Sequence, residues 1–443
     1  MTKVITYGTF DLFHEGHYRL LKRAKALGDY LIVGVTTEEY DRHRGKLNVI
    51  DSLASRIENV RKSGFADEII VEETPGQKVS DVQKYHVDIF TVGSDWVGAF
   101  DYMKDYCDVV YLERTKNISS TMLRIKNRHI QRMGMIGTGR IAKRFIPESK
   151  CVSGIDVCCV YNPNIESASR FAVENQIDYY NDIEEFYRNV DSVYVASPHG
   201  THYDYIKKSL EHGKHVLCEK PMVLSKNQAE ELFRIARERK LILFEGIKTA
   251  YCPGFNKLLG IARSGVIGSI RSVEACFTKL ESFDSRELTD IKFGGSFTEL
   301  GSYTLLPIIK FFGTDFEKVT FDTIKADNGL DILTKAHFNF INGLGTATCG
   351  LGVKSEGQMI ISGTKGYIIV EAPWWKTTYF EIHHENPEDI EKYSDRFLGD
   401  GLRYEVSDFL SLVNGSTECE FKLSREESIV MADIMERFLK ENR

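Results

Sequence analysis

Apolar positions along this chain follow two rhythms, and the change of rhythm divides it. Val4 and Ile5 form a short buried run that stops at Gly8, after which Leu20, Leu21, Ala24 and Leu27 recur at helical spacing. That pattern predicts a strand, a glycine turn and an amphipathic helix. Residues 123–132, LRIKNRHIQR, are basic and do not alternate, which predicts a linker. A strand–turn–helix pattern restarts at MGMIGTGRIAKRF, Met133–Phe145, with further strands expected at Ile155–Tyr161 and Ser192–Pro198 and a helical stretch before the latter. Strands alternating with helices predict a doubly wound α/β domain. After residue 265 the rhythm becomes a long period-two alternation, as in SIRSVEACFTKL and TKAHFNFINGLGTATCGL. Such strands predict an open, mainly antiparallel sheet packed on helices, an α+β domain. The expected domains are 1–128, 131–250 and 251–443.

Bulk composition narrows the function classes. A chain of 443 residues is too long for one ordinary domain, and 42% hydrophobic with 27% charged residues leaves room for real cores. The net charge of −7 argues against a nucleic-acid-binding surface. No apolar run reaches the length of a membrane span, and the N-terminus enters a strand with no apolar signal region. Nine scattered cysteines without CxxC spacing fit reduced thiols and a cytoplasmic location. No metal-ligand pattern is visible among the side chains.

Candidate chemistry first appears at TYGTFDLFHEGH, Thr6–His17. His14 and His17 lie three apart at a helix start, so they share a face, and a helix N-terminus favours phosphate oxygens. Gly16 between them allows close approach of a phosphate. Two imidazoles there suit charge stabilisation at an attacked α-phosphorus. Alone, HxGH fits a solvated helix start equally well.

The flanking residues add a resemblance. Over roughly residues 3–125 the chain resembles the glycerol-3-phosphate cytidylyltransferase family, through GTFDLFHEGH, GSDWVGAFD at Gly93–Asp101 and RTKNISST at Arg114–Thr121. The resemblance implies an HxGH nucleotidyltransferase domain of Rossmann-like fold, with CTP and a phosphorylated polyol or sugar as substrates and Mg²⁺ as cofactor. It implies a CTP site formed by Thr9, Phe10, His14, His17, Lys46, Asp95, Arg114, Thr115, Ile118, Ser119, Ser120 and Thr121. His14, His17, Lys46 and Arg114 would carry catalysis, with Arg56 also near the triphosphate. Two positions depart from the family pattern. Asn117 replaces a glycine and tolerates positive φ; Ala99 replaces a lysine, which leaves the acceptor open.

GTGRIA at Gly137–Ala142 is a dinucleotide-binding turn, in which Gly137 makes the turn, Gly139 admits the pyrophosphate and Ala142 permits close helix packing. The second strand of this half ends at Asn162, where an NAD enzyme usually has an acidic residue. NAD(P) is therefore expected, leaning to NADP.

From about residue 131 to 440 the chain resembles the Gfo/Idh/MocA oxidoreductase family, through SPHGTHYDYIKKSLEHGKHVLCEKPM at Ser197–Met222 and GGSFTELGSY at Gly294–Tyr303. The resemblance implies a cofactor site of Gly137, Thr138, Gly139, Arg140, Ile141, Asn162, Ser197, Pro198, His199, His202, Glu219 and Lys220. Lys220 would polarise the substrate oxygen, and Tyr303, where the family often has histidine, would exchange its proton with the pKa lowered by Lys220. Near Ala250, where many members carry arginine, Lys248 and Tyr251 are the polar groups, and a phosphate-bearing substrate could use Lys248. Trp374 and Trp375 read as packing or interface anchors, and the flat sheet face implies a homodimer.

Together the halves imply reduction of a sugar phosphate to a polyol phosphate and its activation to a CDP-polyol, a precursor for capsule or teichoic-acid-like polymers. Two alternatives stay open: a cytidylyltransferase on a non-catalytic scaffold, and an oxidoreductase with a CTP-sensing domain.

Overall fold

The computed structural model describes residues 1–43, 46, 47, 49, 51–74, 76–113, 130–415 and 422–442, with His43 and Asp95 described by their main chain alone. The chain forms two compact units: Met1–Gln131 with Ser149–Asp156, and Arg132–Glu148 with Val157–Arg443.

The first unit is built on a parallel sheet of five strands: β1 (Lys3–Gly8), β2 (Tyr30–Thr36), β3 (Glu68–Glu72), β4 (Ile89–Gly93) and β5 (Asp108–Leu112). Their order is β3-β2-β1-β4-β5, so β1 is central and the winding reverses beside it. Both faces are covered, which is why β1 and β2 read as continuous apolar runs. Val4, Leu31 and Val33 pack with Leu21, Ala24 and Val60 of the helices Glu15–Lys25 and Leu53–Lys62. Ile5, Tyr7, Ile32 and Phe90 pack with Val82 of the helix Gln77–Tyr85 on the other face. Crevices at the carboxyl ends of such strands, beside the reversal, are where ligands bind.

The second unit begins with a six-stranded sheet of β6 (Gln131–Ile136), β7 (Ile155–Tyr161), β8 (Asp178–Tyr180), β9 (Ser192–Val195), β10 (His215–Glu219) and β11 (Leu243–Gly246), ordered β11-β10-β9-β6-β7-β8. The β9, β10 and β11 ladder and the β6–β9 and β7–β8 pairs are parallel. Eight further strands follow: β12 (Ile270–Thr278), β13 (Lys318–Lys325), β14 (Asp331–Phe340), β15 (Gly343–Gly350), β16 (Met359–Gly363), β17 (Gly366–Val370), β18 (Tyr379–His384) and β19 (Ile390–Ser394). They form one open sheet, ordered β13-β14-β15-β12-β16-β17-β18-β19, antiparallel except for the β12–β15 pair. The helix Ser296–Phe312 packs on one face of this sheet, close enough that a Cβ on Gly345 would lie 2.6 Å from Ile308.

The α/β halves and the final mainly antiparallel sheet match the sequence expectation. Trp374 is fully buried and donates its indole N–H to the Cys276 carbonyl at 2.8 Å, so it packs as expected. The eight described cysteines are free thiols, and no helix among the described residues is long and apolar enough to cross a membrane.

Candidate active sites

The loop leaving β1 is heavily constrained. Phe10 and Leu12 adopt φ of 53° and 47°, costly for residues with a Cβ, so surrounding contacts must impose the shape. The Leu12 N–H donates to Asp51 Oδ2 at 3.0 Å, and the Asp51 N–H returns a bond to Asp11 Oδ1 at 2.7 Å. The Thr9 and Thr36 hydroxyls donate to the two oxygens of Asp41 at 3.0 and 2.8 Å. Arg56 lies beneath them, fully buried, and gives Nη1 to the Thr9 and Thr36 carbonyls at 2.9 and 2.7 Å. Arg56 is therefore a brace inside the fold, a role the expectation for it did not include. The Phe10 ring is core, so only its main chain faces the loop's outer side.

That constraint sets the helix start. His14 is the N-cap of Glu15–Lys25, and its Nδ1 accepts the Gly16 N–H at 3.0 Å. The neutral ring must then carry its proton on Nε2, as a donor. The His17 ring stacks on His14 with centroids 4.0 Å apart and planes 19° from parallel, with the Phe10 and Phe13 rings at 5.4 and 5.6 Å. His17 Nδ1 is shut from solvent with no hydrogen-bond partner among the described residues. Burial, then His14 and Lys46, push the His17 pKa well below the ordinary imidazole range. It is a neutral dipole at physiological pH, not a second cation.

Thr9, Phe10, His14 and His17 thus come together on one loop and helix start, and Lys46 is near enough to act on His17 while donating to the Lys150 carbonyl at 3.0 Å. The Asp95 main chain lies in the short turn Ser94–Trp96 after β4. Arg114, Thr115, Ile118, Ser119, Ser120 and Thr121 lie outside the described residues.

In the second unit, β6 is followed by Gly137 with φ of 107°, and a Cβ there would meet the Ala196 carbonyl at 2.6 Å. A Cβ on Gly139 would meet nothing within 4 Å, leaving the space a pyrophosphate needs at the start of the helix Arg140–Ser149. These residues fit a dinucleotide. Ile141 lies in the first turn of that helix. Asn162 donates Nδ2 to Thr138 Oγ1 at 2.9 Å, tying the end of β7 to the turn. Arg140 pairs with Glu281 and Glu287, so its guanidinium is already engaged by two carboxylates.

The loops after β9 and β10 meet at His202. Fully buried, it places Nε2 at 2.8 Å from the Ser197 carbonyl and Nδ1 at 2.9 Å from the Pro221 carbonyl. Between those loops and the helix Ser296–Phe312 lies the reactive cluster. Lys220 donates Nζ to the Glu299 carbonyl at 2.8 Å and to Glu299 Oε1 at 3.3 Å, and sits 5.5 Å from the centre of the Tyr303 ring. His199 Nε2 is 3.5 Å from Glu299 Oε2. Burial would raise Glu299, but Lys220 and then His199 hold it below the usual carboxylate range. Burial pushes His199 down to about 3, against the pull of Glu299. Glu219 accepts the Tyr194 hydroxyl at 2.5 Å, and burial raises its pKa.

Tyr303 departs from expectation. Burial, then Glu219, Glu405 and Glu299, push its pKa well above the ordinary phenol range. The anticipated lowering by Lys220 is overcome because burial, and then three acidic side chains, outweigh one ammonium. Tyr303 therefore holds its proton at neutral pH.

Residues missed in the sequence complete the cluster. Phe277 lies 5.3 Å from Tyr303 and stacks on Trp375 at 3.6 Å and 8°, so this phenylalanine flanks the tyrosine, backed by a tryptophan that packs as the sequence suggests. Glu405 is fully buried, with neither carboxylate oxygen hydrogen-bonded among the described residues. In sequence it is one more acidic position on a helix; only its surround of apolar residues in GLRYEVSDFL hinted at burial.

Comparison with known proteins matches three family descriptions: cytidylyltransferase-like over residues 5–126, oxidoreductase family with NAD-binding Rossmann fold over 131–247, and GFO/IDH/MocA C-terminal domain over 255–369. Glycerol-3-phosphate cytidylyltransferase of Bacillus spizizenii is 49% identical over 124 residues, covering 28% of this chain and 95% of that protein. The scyllo-inositol 2-dehydrogenase (NADP(+)) IolU of Bacillus subtilis is 26% identical over 342 residues, covering 70% of this chain and 96% of that protein. Among solved structures, KijD10, a 3-ketoreductase from Actinomadura kijaniata in complex with NADP and TDP-benzene, superposes with a TM-score of 0.62 at 23% identity, covering 70% of this chain and 97% of that one.

Proposed function

This chain belongs to the cytidylyltransferase-like family in its N-terminal part and to the Gfo/Idh/MocA oxidoreductase family in the remainder, and from that premise we propose that it makes a CDP-activated polyol in two reactions. A phosphorylated keto or aldo sugar is reduced with NAD(P)H, and the resulting polyol phosphate receives CMP from CTP. The domain limits 1–128, 131–250 and 251–443, a homodimer, and a role in capsule or teichoic-acid-like precursor synthesis belong to the same reading.

The cytidylyl step is direct displacement. A phosphate oxygen of the polyol phosphate attacks the α-phosphorus, the α–β bridging bond breaks, and pyrophosphate leaves. His14 and His17 act as neutral donors to the charge that accumulates, with Lys46 and Arg114 as the cations. The stacked, capped geometry holds both imidazoles before substrate arrives, so little reorganisation accompanies the reaction. Mg²⁺ is taken to arrive with CTP, as part of the substrate.

In the second unit Gly137, Thr138, Gly139 and Asn162 would hold the nicotinamide dinucleotide, which supplies a hydride when bound. The amide at Asn162, in place of a carboxylate, and the NADP named for the inositol dehydrogenase relative support NADP. Lys220 donates to the substrate carbonyl oxygen and stabilises the developing alkoxide, while Tyr303 holds the proton that oxygen receives. Ionised Glu299 keeps the ammonium aimed.

The observation that carries the reading is the Lys220–Glu299 contact beside Tyr303, joining residues 79 apart in sequence at the carboxyl ends of the sheet. A half-buried lysine–carboxylate pair beside a tyrosine supports a reacting site over a retained scaffold. The test is parallel assay of the full-length protein for pyrophosphate release from CTP and for NAD(P)H oxidation across a panel of sugar phosphates. Both activities are expected; pyrophosphate release without any NAD(P)H oxidation would favour the scaffold alternative.

A further inference from the structure

One cation at the carboxyl edge of the β6–β11 sheet is not used by the chemistry above. Lys248 follows the end of β11 by two residues, and Lys220 follows the end of β10 by one. The order β11-β10-β9-β6-β7-β8 places Lys248 beside Lys220 and on the opposite side of β6 from Asn162 at the end of β7. It therefore lies toward the reacting groups and away from the ribose end of a bound dinucleotide.

The surroundings of Lys248 fit an anion. Its half-buried ammonium has three N–H donors, of which one reaches the Asp400 carbonyl at 2.9 Å. No carboxylate is ion-paired with it among the described residues. Arg144 holds the other end of the same residue, giving Nε and Nη2 to the two Asp400 carboxylate oxygens at 2.9 and 2.6 Å. Asp400 lies between Gly399 and Gly401, with φ of 58° and 82°, in a turn that presents its carbonyl and its carboxylate to different cations. An ammonium and a guanidinium are thus held near one another, against their repulsion. Burial and then Arg144 push the Lys248 pKa down, while Glu405, Asp400 and Glu219 pull it up. Glu219 and Glu405 also act on Tyr303, so the ammonium and the tyrosine share surroundings.

We propose that Lys248, flanked by Arg144, is the subsite that takes the phosphate of the carbonyl substrate, so that the group binding the substrate for reduction is the same group that later attacks CTP. This rests on the reading that the substrate is phosphorylated. A dianion there fills the open donors of Lys248 and relieves its repulsion with Arg144. Binding energy from this remote group positions the carbonyl at Lys220 and Tyr303. The site selects phosphate esters over free sugars, which matches the needs of the cytidylyl step.

The test uses full-length parent, Lys248→Met, Lys248→Arg and Arg144→Gln. KM and kcat for NAD(P)H-driven reduction are measured with a phosphorylated substrate and its unphosphorylated counterpart, together with competition by inorganic phosphate. In Lys248→Met, KM for the phosphorylated substrate is expected to rise about tenfold or more, the scale of a lost charge-assisted contact, with a much smaller change in kcat. Phosphate competition should weaken in parallel, Lys248→Arg should restore most of both, and Arg144→Gln should give a smaller rise of the same kind. Unchanged KM and unchanged phosphate competition in Lys248→Met would overturn the subsite. Should the parent reduce only unphosphorylated carbonyls, the substrate reading fails instead. Phosphate competition against that carbonyl then decides the subsite: relief in Lys248→Met upholds it, and no competition in the parent refutes it.

Discussion

His14 has two duties that one pair of substitutions separates. As N-cap it accepts the Gly16 N–H, and as an imidazole stacked on His17 it offers Nε2–H to a phosphate. His14→Ala removes both. Losing a cap acceptor costs about 0.5–2 kcal/mol, and removing one preorganised donor costs ~10²–10³ in rate. For a unit of this size 1 kcal/mol moves the melting midpoint by roughly 3–6 °C. His14→Asn removes only the second duty, because the asparagine side-chain oxygen is a strong cap acceptor and the residue's φ of −133° and ψ of 176° suit it. Expected are a melting midpoint within about 2 °C of the parent for Asn, a drop of several degrees for Ala, and a loss of ~10²–10³ in pyrophosphate release for both. The assays are differential scanning fluorimetry and coupled pyrophosphate detection with a polyol phosphate acceptor. An asparagine variant that keeps the parental rate would refute the reasoning and leave His14 as a cap alone.

Lys220→Met should abolish NAD(P)H oxidation while pyrophosphate release stays parental; persistent oxidation at the parental rate would make Lys220 structural. Tyr303→Phe should retain cofactor binding by fluorescence quenching but lose most turnover. Because burial raises the Tyr303 pKa, its donor form persists as pH rises, so parental reduction should show no break from this residue at or below about pH 10, where a free tyrosine titrates. A parental break near pH 8 that disappears in Tyr303→Phe would contradict that sign. Gly137→Ala sets a Cβ against the Ala196 carbonyl at positive φ, so nicotinamide binding by titration should fall sharply; unchanged affinity would mean the turn is not the cofactor cradle.

The sequence disclosed most of the fold because its signals were local. The strand ending at Gly8, the GTGRIA turn and the long alternation after residue 265 each depend on spacing within a few residues, and each became the expected element. His14 and His17 were also legible, since helical spacing puts them on one face, and Tyr303 was legible through the family resemblance. What stayed hidden depends on distant partners. Arg56 reads as a basic residue near the triphosphate until Thr9 and Thr36 close over it, and Glu405 reads as one more acidic helix position until Glu219 and Lys248 are placed near it. The direction of the Tyr303 pKa could not be read from Lys220 alone, because burial and three carboxylates reverse the effect of one cation.

The most direct test of the central claim follows a label through both reactions. The full-length protein is incubated with CTP, Mg²⁺, a phosphorylated keto or aldo sugar, and NADPH carrying deuterium at the transferable position, and the CDP-linked product is weighed by mass spectrometry. The account predicts a CDP-polyol one mass unit heavier than the product made with unlabelled NADPH, and no such product from Lys220→Met. A CDP-linked product that never carries the label, formed equally well without NADPH, would contradict it.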